Sequence, residues 1–252
     1  MEISSESVKV GHPDLVADII AANVIAAILD KEKKEKQGLN LANMPHCGLE
    51  VFLGKGICLV GGEVRTRVNV DIDKIARESV LELGYNHASV GLNGHSMGVL
   101  NAIIPQSPDI NQGTSCLLNK KGEIGAGDQG IMYGFACDDT PELLPMPYVL
   151  ANKLMRAFEY CQDPIFAPDG KGQVSVDYDL KTGKPVRVVK VLMSNAIDYR
   201  YVKGDRLKIR DKAKKIAFEA LKDCVDKKTE FLFNPTGEWN AINSCSAADS
   251  GV

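Results

Sequence analysis

The chain has 252 residues, of which 44% are hydrophobic and 25% charged, and these proportions exclude disordered, collagen-like and low-complexity proteins. A chain of this length can bury one large hydrophobic core or two moderate ones without disulfide support. Its 30 Lys and Arg residues against 33 Asp and Glu residues give a net charge of −3, which excludes a global basic field for nucleic acid or an anionic membrane.

The first predicted elements are a helix and a strand pair. Pro13 suits the first position of a helix, hydrophobic residues recur behind it with helical spacing, and the helix is expected to end in the charged run 31–36. Residues 49–53 and 57–60 predict two strands, because the segment 54–56 between them reads Gly-Lys-Gly and favours a tight turn.

A second helix and a third strand follow. Asp71 or Asp73 can cap a helix that runs through Leu83, with Gly84 as its terminator. Residues 99–104 are predicted to be a strand because they are mostly hydrophobic and a proline follows them.

A long polar loop separates the two halves of the chain. Residues 106–130 are rich in Gly, Asn, Ser and Asp, and loops of this length in compact domains are usually functional covers or disordered. Residues 131–136 then predict a short apolar strand, and residues 146–160 predict a helix with prolines near its start.

The second half repeats the arrangement of the first. It predicts strands at 173–178 and 186–194 around a turn at 181–184, a basic helix at 205–225 and a strand at 231–233. Because both halves contain hairpins and helices, the fold class is expected to be α+β with mostly antiparallel sheets.

The cysteines and the hydrophobic segments suggest a cytoplasmic protein. The seven cysteines are scattered without a C-x-x-C pair, which argues against a zinc site or a disulfide framework and favours thiols in a reducing compartment. The longest apolar stretch, 16–29, is shorter than the ~20 residues of a membrane span. Glu2 and Glu6 occupy the place of the basic segment of a signal peptide.

The residues His12, Pro13 and Asp14 stand where the first helix begins. Backbone N–H groups at a helix N-terminus bind anions, so His12 could face a phosphate there. Asp14 and Asp18 share one helix face and could hold Mg²⁺ together with phosphate oxygens. Taken alone, the same residues also fit an ordinary helix cap.

Two acidic residues interrupt apolar strands. Glu50 and Glu63 must either face solvent or meet a cation, because an unpaired buried carboxylate is costly, and strand alternation favours solvent. The Gly61-Gly62 pair before Glu63 would let a ligand approach the backbone.

Two glycine-containing segments carry further charged side chains. Residues 125–130 read GAGDQG, but the polar loop before them and the predicted strand after them exclude a dinucleotide-binding turn and leave a glycine loop with Asp128. Asp169, Gly170 and Lys171 form a turn that could bind a ribose hydroxyl and a phosphate, or could simply be exposed.

Seven segments together resemble S-adenosylmethionine synthetases (methionine adenosyltransferases) in that family's order. They are SESV (5–8), GHPD (11–14), GGE (61–63), QSPDINQG (106–113), GAGDQG (125–130), DGK (169–171) and NPTG (234–237). The resemblance implies similar α+β domains around a pseudo-threefold axis. It divides the chain into an N-terminal domain (1–105), a mobile active-site loop with the glycine loop (106–130), a central domain (131–235) and the start of an incomplete third domain (236–252).

The resemblance also implies an activity. Members of this family transfer the adenosyl group of ATP to the sulfur of L-methionine, and the released triphosphate is hydrolysed to diphosphate and phosphate. Mg²⁺ and K⁺ would be the cofactors. The active site would lie between two subunits of a homodimer or a dimer of dimers, with no role for nucleic acid or membrane.

Individual roles follow from the matched motifs. Seven residues would bind ATP: His12, Asp169, Gly170, Lys171, Glu238, Trp239 and Asp249. Three residues would bind methionine: Glu63, Gln106 and Asp249. Asp14 would hold Mg²⁺ and Glu50 would hold K⁺. Three residues would act in catalysis: His12 beside the triphosphate and C5′, Lys171 on the phosphates and Asp128 in positioning the substrates.

Three departures from the family pattern lead to a second hypothesis. Leu15 stands in the place of a lysine, and Glu238 adds a negative charge beside the residue expected to stack on adenine. The family pattern also continues beyond Val252 into most of a third domain with further basic groups. The alternative is therefore a non-catalytic fragment that binds nucleotide or a full-length partner. An unrelated kinase or ligase is disfavoured because the chain has no P-loop.

Overall fold

Two four-stranded sheets, each covered on one face by two helices, organise the chain. The computed structural model describes residues 1–35, 39, 44–109, 130–202, 207–237 and 249–250. The architecture is α+β, as the sequence predicts, and it consists of two units with the same order of elements.

The first unit contains a helix, a hairpin, a second helix and a further strand. Its elements are α1 (Pro13–Glu35), β2 (His46–Gly54), β3 (Ile57–Arg65), α2 (Ile72–Glu82) and β4 (Gly98–Pro105). β1 (Glu2–Val8) precedes this unit, and a short 3-10 helix, Ala88–Val90, lies between α2 and β4. The predicted helices and the hairpin are confirmed, with longer strands than expected.

The second unit repeats this order. Its elements are α3 (Met146–Tyr160), β5 (Phe166–Tyr178), β6 (Pro185–Ile197), α4 (Leu207–Leu221) and β7 (Glu230–Phe233). A 3-10 helix, Tyr199–Tyr201, follows β6, and β8 (Asp249–Ser250) comes last.

In both units the hairpin is antiparallel and the last strand is parallel. β2 and β3 pair antiparallel and β4 joins β3 in parallel, while β5, β6 and β7 repeat this pattern. A parallel neighbour requires a crossover connection, and α2 and α4 provide one in each unit. The sheets are therefore mixed, with antiparallel pairs in the majority as predicted.

The edge strands are exchanged between the units. β1 precedes the first unit but pairs antiparallel with β5 of the second, from Glu2 opposite Asp177 to Val8 opposite Lys171. β8 follows the second unit but pairs with β2 of the first. The chain therefore leaves the second sheet at Val8 and enters α1 of the first unit within a few residues.

Each unit has its own hydrophobic core. In the first, α1 buries Val16, Ile20 and Val24 at helical spacing against the inner face of β2 and β3. In the second, the Phe158, Phe166 and Phe233 rings form a cluster, with Phe158 edge-on to Phe166 at 5.2 Å between centroids.

Turn chemistry accounts for the boundaries of the first unit. Asp71 caps α2, because its carboxylate accepts a hydrogen bond from the Lys74 N–H at 3.0 Å. Gly84 follows this helix with a φ of +91°, a conformation that favours glycine, and Gly56 closes the hairpin turn with a φ of +76°. The structure therefore confirms the predicted cap at Asp71, the predicted helix terminator Gly84 and the predicted tight turn at 54–56.

The predicted strand at 131–136 is wrong. The segment has no regular secondary structure, and its large side chains are exposed, with Met132 at 97% and Tyr133 at 93%. A strand needs a neighbour for its backbone N–H and C=O groups, and no strand of the described residues pairs with this segment. The hydrophobic residues of this segment predicted a strand, but none of the described strands forms backbone hydrogen bonds with it.

The five cysteines within the described residues are free thiols. Burial raises the pKa of the Cys58 thiol to about 11, so this side chain behaves as a small core residue. No helix in the described part of the chain is long and apolar enough to cross a membrane.

One fully buried carboxylate ties α1 to the chain that follows β3. Glu32 accepts hydrogen bonds from the backbone N–H of Arg67 at 2.6 Å, from its Nε at 2.7 Å and from the Thr66 hydroxyl at 2.9 Å. Burial alone would raise the pKa of Glu32, but these hydrogen bonds outweigh it and hold the pKa below its ordinary value.

We expect Glu32→Gln to lower the free energy of unfolding by about 2 kcal/mol at pH 7, because it replaces a buried carboxylate that accepts hydrogen bonds from Thr66 and Arg67 with a neutral amide. The folded-state pKa is lowered, so the contribution of Glu32 is present above its unfolded pKa and is lost as the pH falls through the folded value. Urea unfolding at pH 7 and in acid measures both effects. Glu35→Gln, at the exposed end of the same helix, should change stability by less than about 0.5 kcal/mol.

Candidate active site

The candidate site begins where the chain passes from β1 to α1. Gly11 packs directly on Pro168, so closely that an added Cβ would lie 2.6 Å from the proline carbonyl oxygen. The buried Tyr85 hydroxyl donates a hydrogen bond to the Gly11 carbonyl and closes this contact from the first unit. Only glycine permits such an approach, and the contact brings His12 next to Asp169.

His12 and Asp14 form the first pair of the site. The His12 carbonyl accepts the Val16 N–H at 3.0 Å and so begins the hydrogen bonds of α1. His12 Nδ1 lies 3.0 Å from Asp14 Oδ1, with the histidine side chain 19% exposed and the aspartate side chain 49% exposed. The backbone N–H of Asp14 also lies 3.4 Å from His12 Nδ1, so both contacts of the pair are made at this ring nitrogen.

Asp169 lies at the centre of the site and is only 7% exposed. Burial raises its pKa above the ordinary value. Side chains that carry or can carry positive charge act on this pKa in the opposite direction: His12, Lys9 and Lys171. The Asp14 carboxylate raises it further. Asp169 is therefore a buried carboxylate whose ionisation depends on the cations around it.

Lys171 completes this group on the outer face of the second sheet. Its ammonium is half-exposed and lies 3.4 Å from the Glu6 carboxylate on the neighbouring strand β1. The structure thus brings together four residues that the sequence predicts as site residues, here called the junction cluster: His12, Asp14, Asp169 and Lys171.

Glu6 and Lys9 have no role in the sequence prediction, although both lie at the junction cluster. Glu6 belongs to the SESV segment, and its alternation with Ser4 and Glu2 was the available signal of a strand face. Lys9 gave no signal, because a lysine in a sequence is ordinarily solvated.

Gly170 allows the segment 169–171 to lie close to the neighbouring strands. A Cβ at this position would lie 2.5 Å from Asn195 Oδ1 and 3.0 Å from Lys9 Cδ. The Asn195 backbone is held in turn by the side chain of Asn234, which accepts its N–H at 2.9 Å and donates to its carbonyl at 3.0 Å. Asn234 begins the NPTG segment, so this turn is anchored next to the junction cluster.

The other predicted ATP-binding and catalytic residues are less completely described. Asp128, Glu238 and Trp239 lie outside the described residues, as does the loop at 110–129. The backbone of Asp249 pairs with Leu53 in β8, which places this residue at the edge of the first sheet.

Glu63 and Gln106 form a second, separate group. Gln106 Nε2 lies 3.5 Å from Glu63 Oε1, and the Gln106 backbone N–H donates to the Val64 carbonyl at 3.1 Å. Gln106 Oε1 is buried without a hydrogen-bond partner in the described structure. The two predicted methionine-binding residues therefore meet, but on the first sheet rather than on the sheet that carries Lys171.

Glu50 is exposed on the outer face of this same sheet, opposite Gly61, as strand alternation predicts. Within the described part of the chain no three His, Cys, Asp or Glu side chains are close enough to hold a metal ion by themselves. Asp14 nevertheless suits Mg²⁺, which uses one or two protein carboxylates and takes its remaining ligands from phosphate and water. Glu50 supplies a single carboxylate, so its proposed K⁺ site needs further donors.

Both parts of the chain that contribute to the junction cluster match models of known protein domains. Residues 1–108 match the family model of the S-adenosylmethionine synthetase N-terminal domain, and residues 123–239 match that of its central domain. The chain belongs to the S-adenosylmethionine synthetase family. The two matched domains of this family contain the two structural units described above.

Bacterial relatives extend the comparison. The chain is 38% identical over 252 residues to the S-adenosylmethionine synthase of Myxococcus xanthus (strain DK1622), a match that covers 99% of this chain and 59% of the relative. It is 37% identical over 247 residues to the S-adenosylmethionine synthase of Helicobacter pylori (strain J99), covering 94% and 58% respectively. The chain thus spans a little under three fifths of the length of these synthases.

The glycine pair before Glu63 differs in how closely each residue approaches its neighbours, and this difference can be tested. Gly62 has a φ of +116°, and a Cβ there would lie 2.0 Å from the Gly48 carbonyl oxygen of β2. At Gly61 the nearest atom to an added Cβ is 3.6 Å away. The close approach that requires glycine is therefore made by the neighbouring strand.

We expect Gly62→Ala to lower the free energy of unfolding by about 2 kcal/mol or more, because it combines a positive φ with a steric clash. Gly61→Ala is the matched control and should cost less than about 1 kcal/mol. Urea unfolding of both variants decides the matter, and equal effects would contradict the geometry given for Gly62.

Proposed function

We propose that the chain acts in adenosyl transfer from ATP to L-methionine. In this displacement the methionine sulfur forms a bond to C5′ while the C5′–O bond breaks, and its electron pair leaves with the triphosphate, which water then splits into diphosphate and phosphate. The observation that carries the proposal is the junction cluster, where side chains from both units meet in the motifs of the family.

The leaving group sets the main electrostatic demand. Negative charge grows on the triphosphate as the C5′–O bond breaks, and preorganised positive groups stabilise it. The half-exposed ammonium of Lys171 and the N-terminal end of α1 are such groups. His12 stands at this helix end, beside Asp14, and would contact the same ligand.

Asp169 is suited to the ribose. An ionised carboxylate accepts hydrogen bonds from hydroxyl groups more strongly than a neutral acceptor does. Its burial reduces competition with water, while the surrounding positive groups favour the ionised form. Gly170 permits the segment beside Asp169 to pack closely against Asn195 and Lys9.

In this proposal the chain would supply one carboxylate ligand to each metal ion. Asp14, half-exposed and next to the proposed phosphate site, would hold Mg²⁺. When bound, Mg²⁺ neutralises charge on the triphosphate and orients it. Glu50 would contribute one ligand to K⁺.

The Glu63–Gln106 pair is suited to the amino acid. The Glu63 carboxylate can accept hydrogen bonds from an α-ammonium group, and the unpartnered buried carbonyl of Gln106 is a second acceptor. A buried acceptor without a donor is costly, so binding an ammonium group would remove that cost.

A second copy of the chain would unite the two groups, which lie on different sheets. The outer face of the first sheet, between Glu50 and Glu63, is largely apolar and exposed, with Phe52 at 42%, Leu100 at 50% and Ile104 at 62% exposure. An apolar sheet face of this kind is typical of protein–protein contact sites. We infer a homodimer through this face, with the active site at its edge.

The length of the relatives supports a second hypothesis. Because the chain spans 59% of the Myxococcus xanthus synthase, it could instead bind nucleotide or a full-length partner without turnover. Calorimetry with ATP, followed by chromatographic detection of S-adenosylmethionine from ATP and methionine, separates the two. Product formation supports the synthetase, and ATP binding without product supports the nucleotide-binding alternative. Absence of both contradicts the synthetase and nucleotide binding.

If the synthetase hypothesis holds, Asp14→Asn should raise the Mg²⁺ concentration required for half-maximal activity by about tenfold or more, because it removes a charged ligand. Activity measured across a magnesium titration gives this value. The matched control is Asp30→Asn on the exposed surface near the other end of the same helix, which should leave the requirement within about twofold of the parent.

Leu100→Lys should convert the homodimer to monomer at micromolar concentration, because it places a charge in the centre of the apolar face. Light scattering coupled to size-exclusion chromatography reports the mass. Leu180→Lys, in the exposed turn between β5 and β6, is the control and should leave the mass unchanged. A dimer that survives the Leu100 substitution would place the interface elsewhere.

A further inference from the structure

Lys9 is a buried lysine directly behind the junction cluster. Its side chain is 5% exposed, although lysines are almost never fully buried without a partner. Its Nζ donates a hydrogen bond to the Ala167 carbonyl at 2.7 Å, and its backbone N–H donates to the Gly170 carbonyl at 2.8 Å. One residue therefore holds both ends of the segment 167–170, which contains Asp169.

Placing this ammonium inside the protein is costly. Burial lowers the pKa of Lys9 to about 8, against the opposing influence of the Cys161 thiol and the Glu159 and Asp169 carboxylates. At neutral pH the side chain still carries its charge. A methionine would fill the same space without a desolvation cost, so the charge is not explained by packing.

The position of Lys9 differs from that of the other cations around Asp169. His12 and Lys171 are 19% and 47% exposed in their side chains, and both face the proposed nucleotide. Lys9 is buried, and the cavity that it lines together with Glu159, Ala167 and Pro168 includes none of the junction-cluster residues. When phosphate groups bind His12 and Lys171, the charge of Lys9 would remain close to Asp169.

Asn195 supports the same segment from β6. Its Nδ2 donates to the Ala167 carbonyl at 3.1 Å, so this oxygen accepts hydrogen bonds from two buried side chains. Gly170 packs against both Lys9 and Asn195. The segment with Asp169 is thus held from behind by polar contacts that do not involve the ligand side.

We propose that Lys9 is a positioning residue for nucleotide binding: its buried ammonium holds the segment 167–170 and keeps the Asp169 carboxylate placed and charged for the ribose hydroxyls. The proposal rests on the proposed function, in which Asp169 binds the ribose. Lys9 does not contact the nucleotide and acts through Asp169.

The decisive comparison uses Lys9→Met with two probes, ATP and inorganic triphosphate. Calorimetry should show about a tenfold loss of affinity for ATP, because the ribose contact weakens, and less than a twofold change for triphosphate. Asp169→Asn should show the same pattern. The double variant should bind ATP no more weakly than Asp169→Asn alone, because Lys9 acts through that carboxylate.

The pH dependence of thermal unfolding distinguishes the proposed role of the Lys9 charge from a purely structural role of this residue. The folded-state pKa of Lys9 lies below its unfolded value, so its charge costs stability below about pH 8, and that cost disappears as the pH rises toward 10.5. At pH 7 the Lys9→Met variant should therefore be at least as stable as the parent. The difference should shrink as the pH rises through this range.

Lys31→Met is the matched control, because Lys31 also donates to a backbone carbonyl, that of Asn69 at 2.7 Å, but on the exposed surface of α1. Its affinity for both probes should equal that of the parent. Lys9→Gln, which keeps a donor but removes the charge, serves as the second variant where Lys9→Met does not fold, and the same loss for ATP alone is expected.

Three results would overturn the proposal: unchanged ATP affinity in the Lys9 variants, equal losses for ATP and triphosphate together with lower stability, or additive effects in the double variant. If the parent chain binds no ATP, the proposed function fails. Amide hydrogen exchange then decides the positioning role separately, because Lys9→Met should speed exchange at Gly170 and Lys171, and unchanged exchange would overturn that role.

Discussion

The antiparallel pairing of β1 with β5 is the contact on which the site depends. It holds the N-terminal strand in the sheet of the second unit, so the chain must return to α1 of the first unit across the surface of segment 167–170. Gly11 permits this crossing because it has no side chain to meet Pro168. The same contact that joins the two units therefore places His12 beside Asp169.

This crossing also creates an uncommon electrostatic environment. A buried carboxylate is costly unless cations or hydrogen bonds compensate it, and Asp169 is surrounded by one buried and two more accessible positive or titratable groups. The accessible groups suit an anionic ligand, whereas Lys9 is buried and donates a hydrogen bond to the Ala167 carbonyl. In the proposed function, ligand binding and the maintenance of the carboxylate charge would belong to different side chains.

Local patterns predicted most of the elements and the two hairpins, but not the pairing of strands that are distant in sequence. The helix at 146–160 and the cap at Asp71 depend on spacing and side-chain chemistry within a few residues, and the structure confirms them. The apolar segment at 131–136 shows the limit of such reasoning, because a strand exists only where a neighbour accepts its hydrogen bonds. The exchange of β1 into the other sheet is likewise a long-range pairing that no local pattern of Glu2–Val8 contains.

The candidate site also combines features that local sequence patterns predict with features that depend on long-range contacts. By itself the sequence determined the α+β class, the repeated order of elements and the motifs that carry His12, Asp14, Asp169 and Lys171, because these depend on residue type and spacing. Only the tertiary structure decided that these four meet at one junction, that Glu63 and Gln106 form a separate group on the other sheet, and that Lys9 is buried. The physical reason is that burial and charge proximity arise from contacts between distant segments, here β1 against β5 and Gly11 against Pro168.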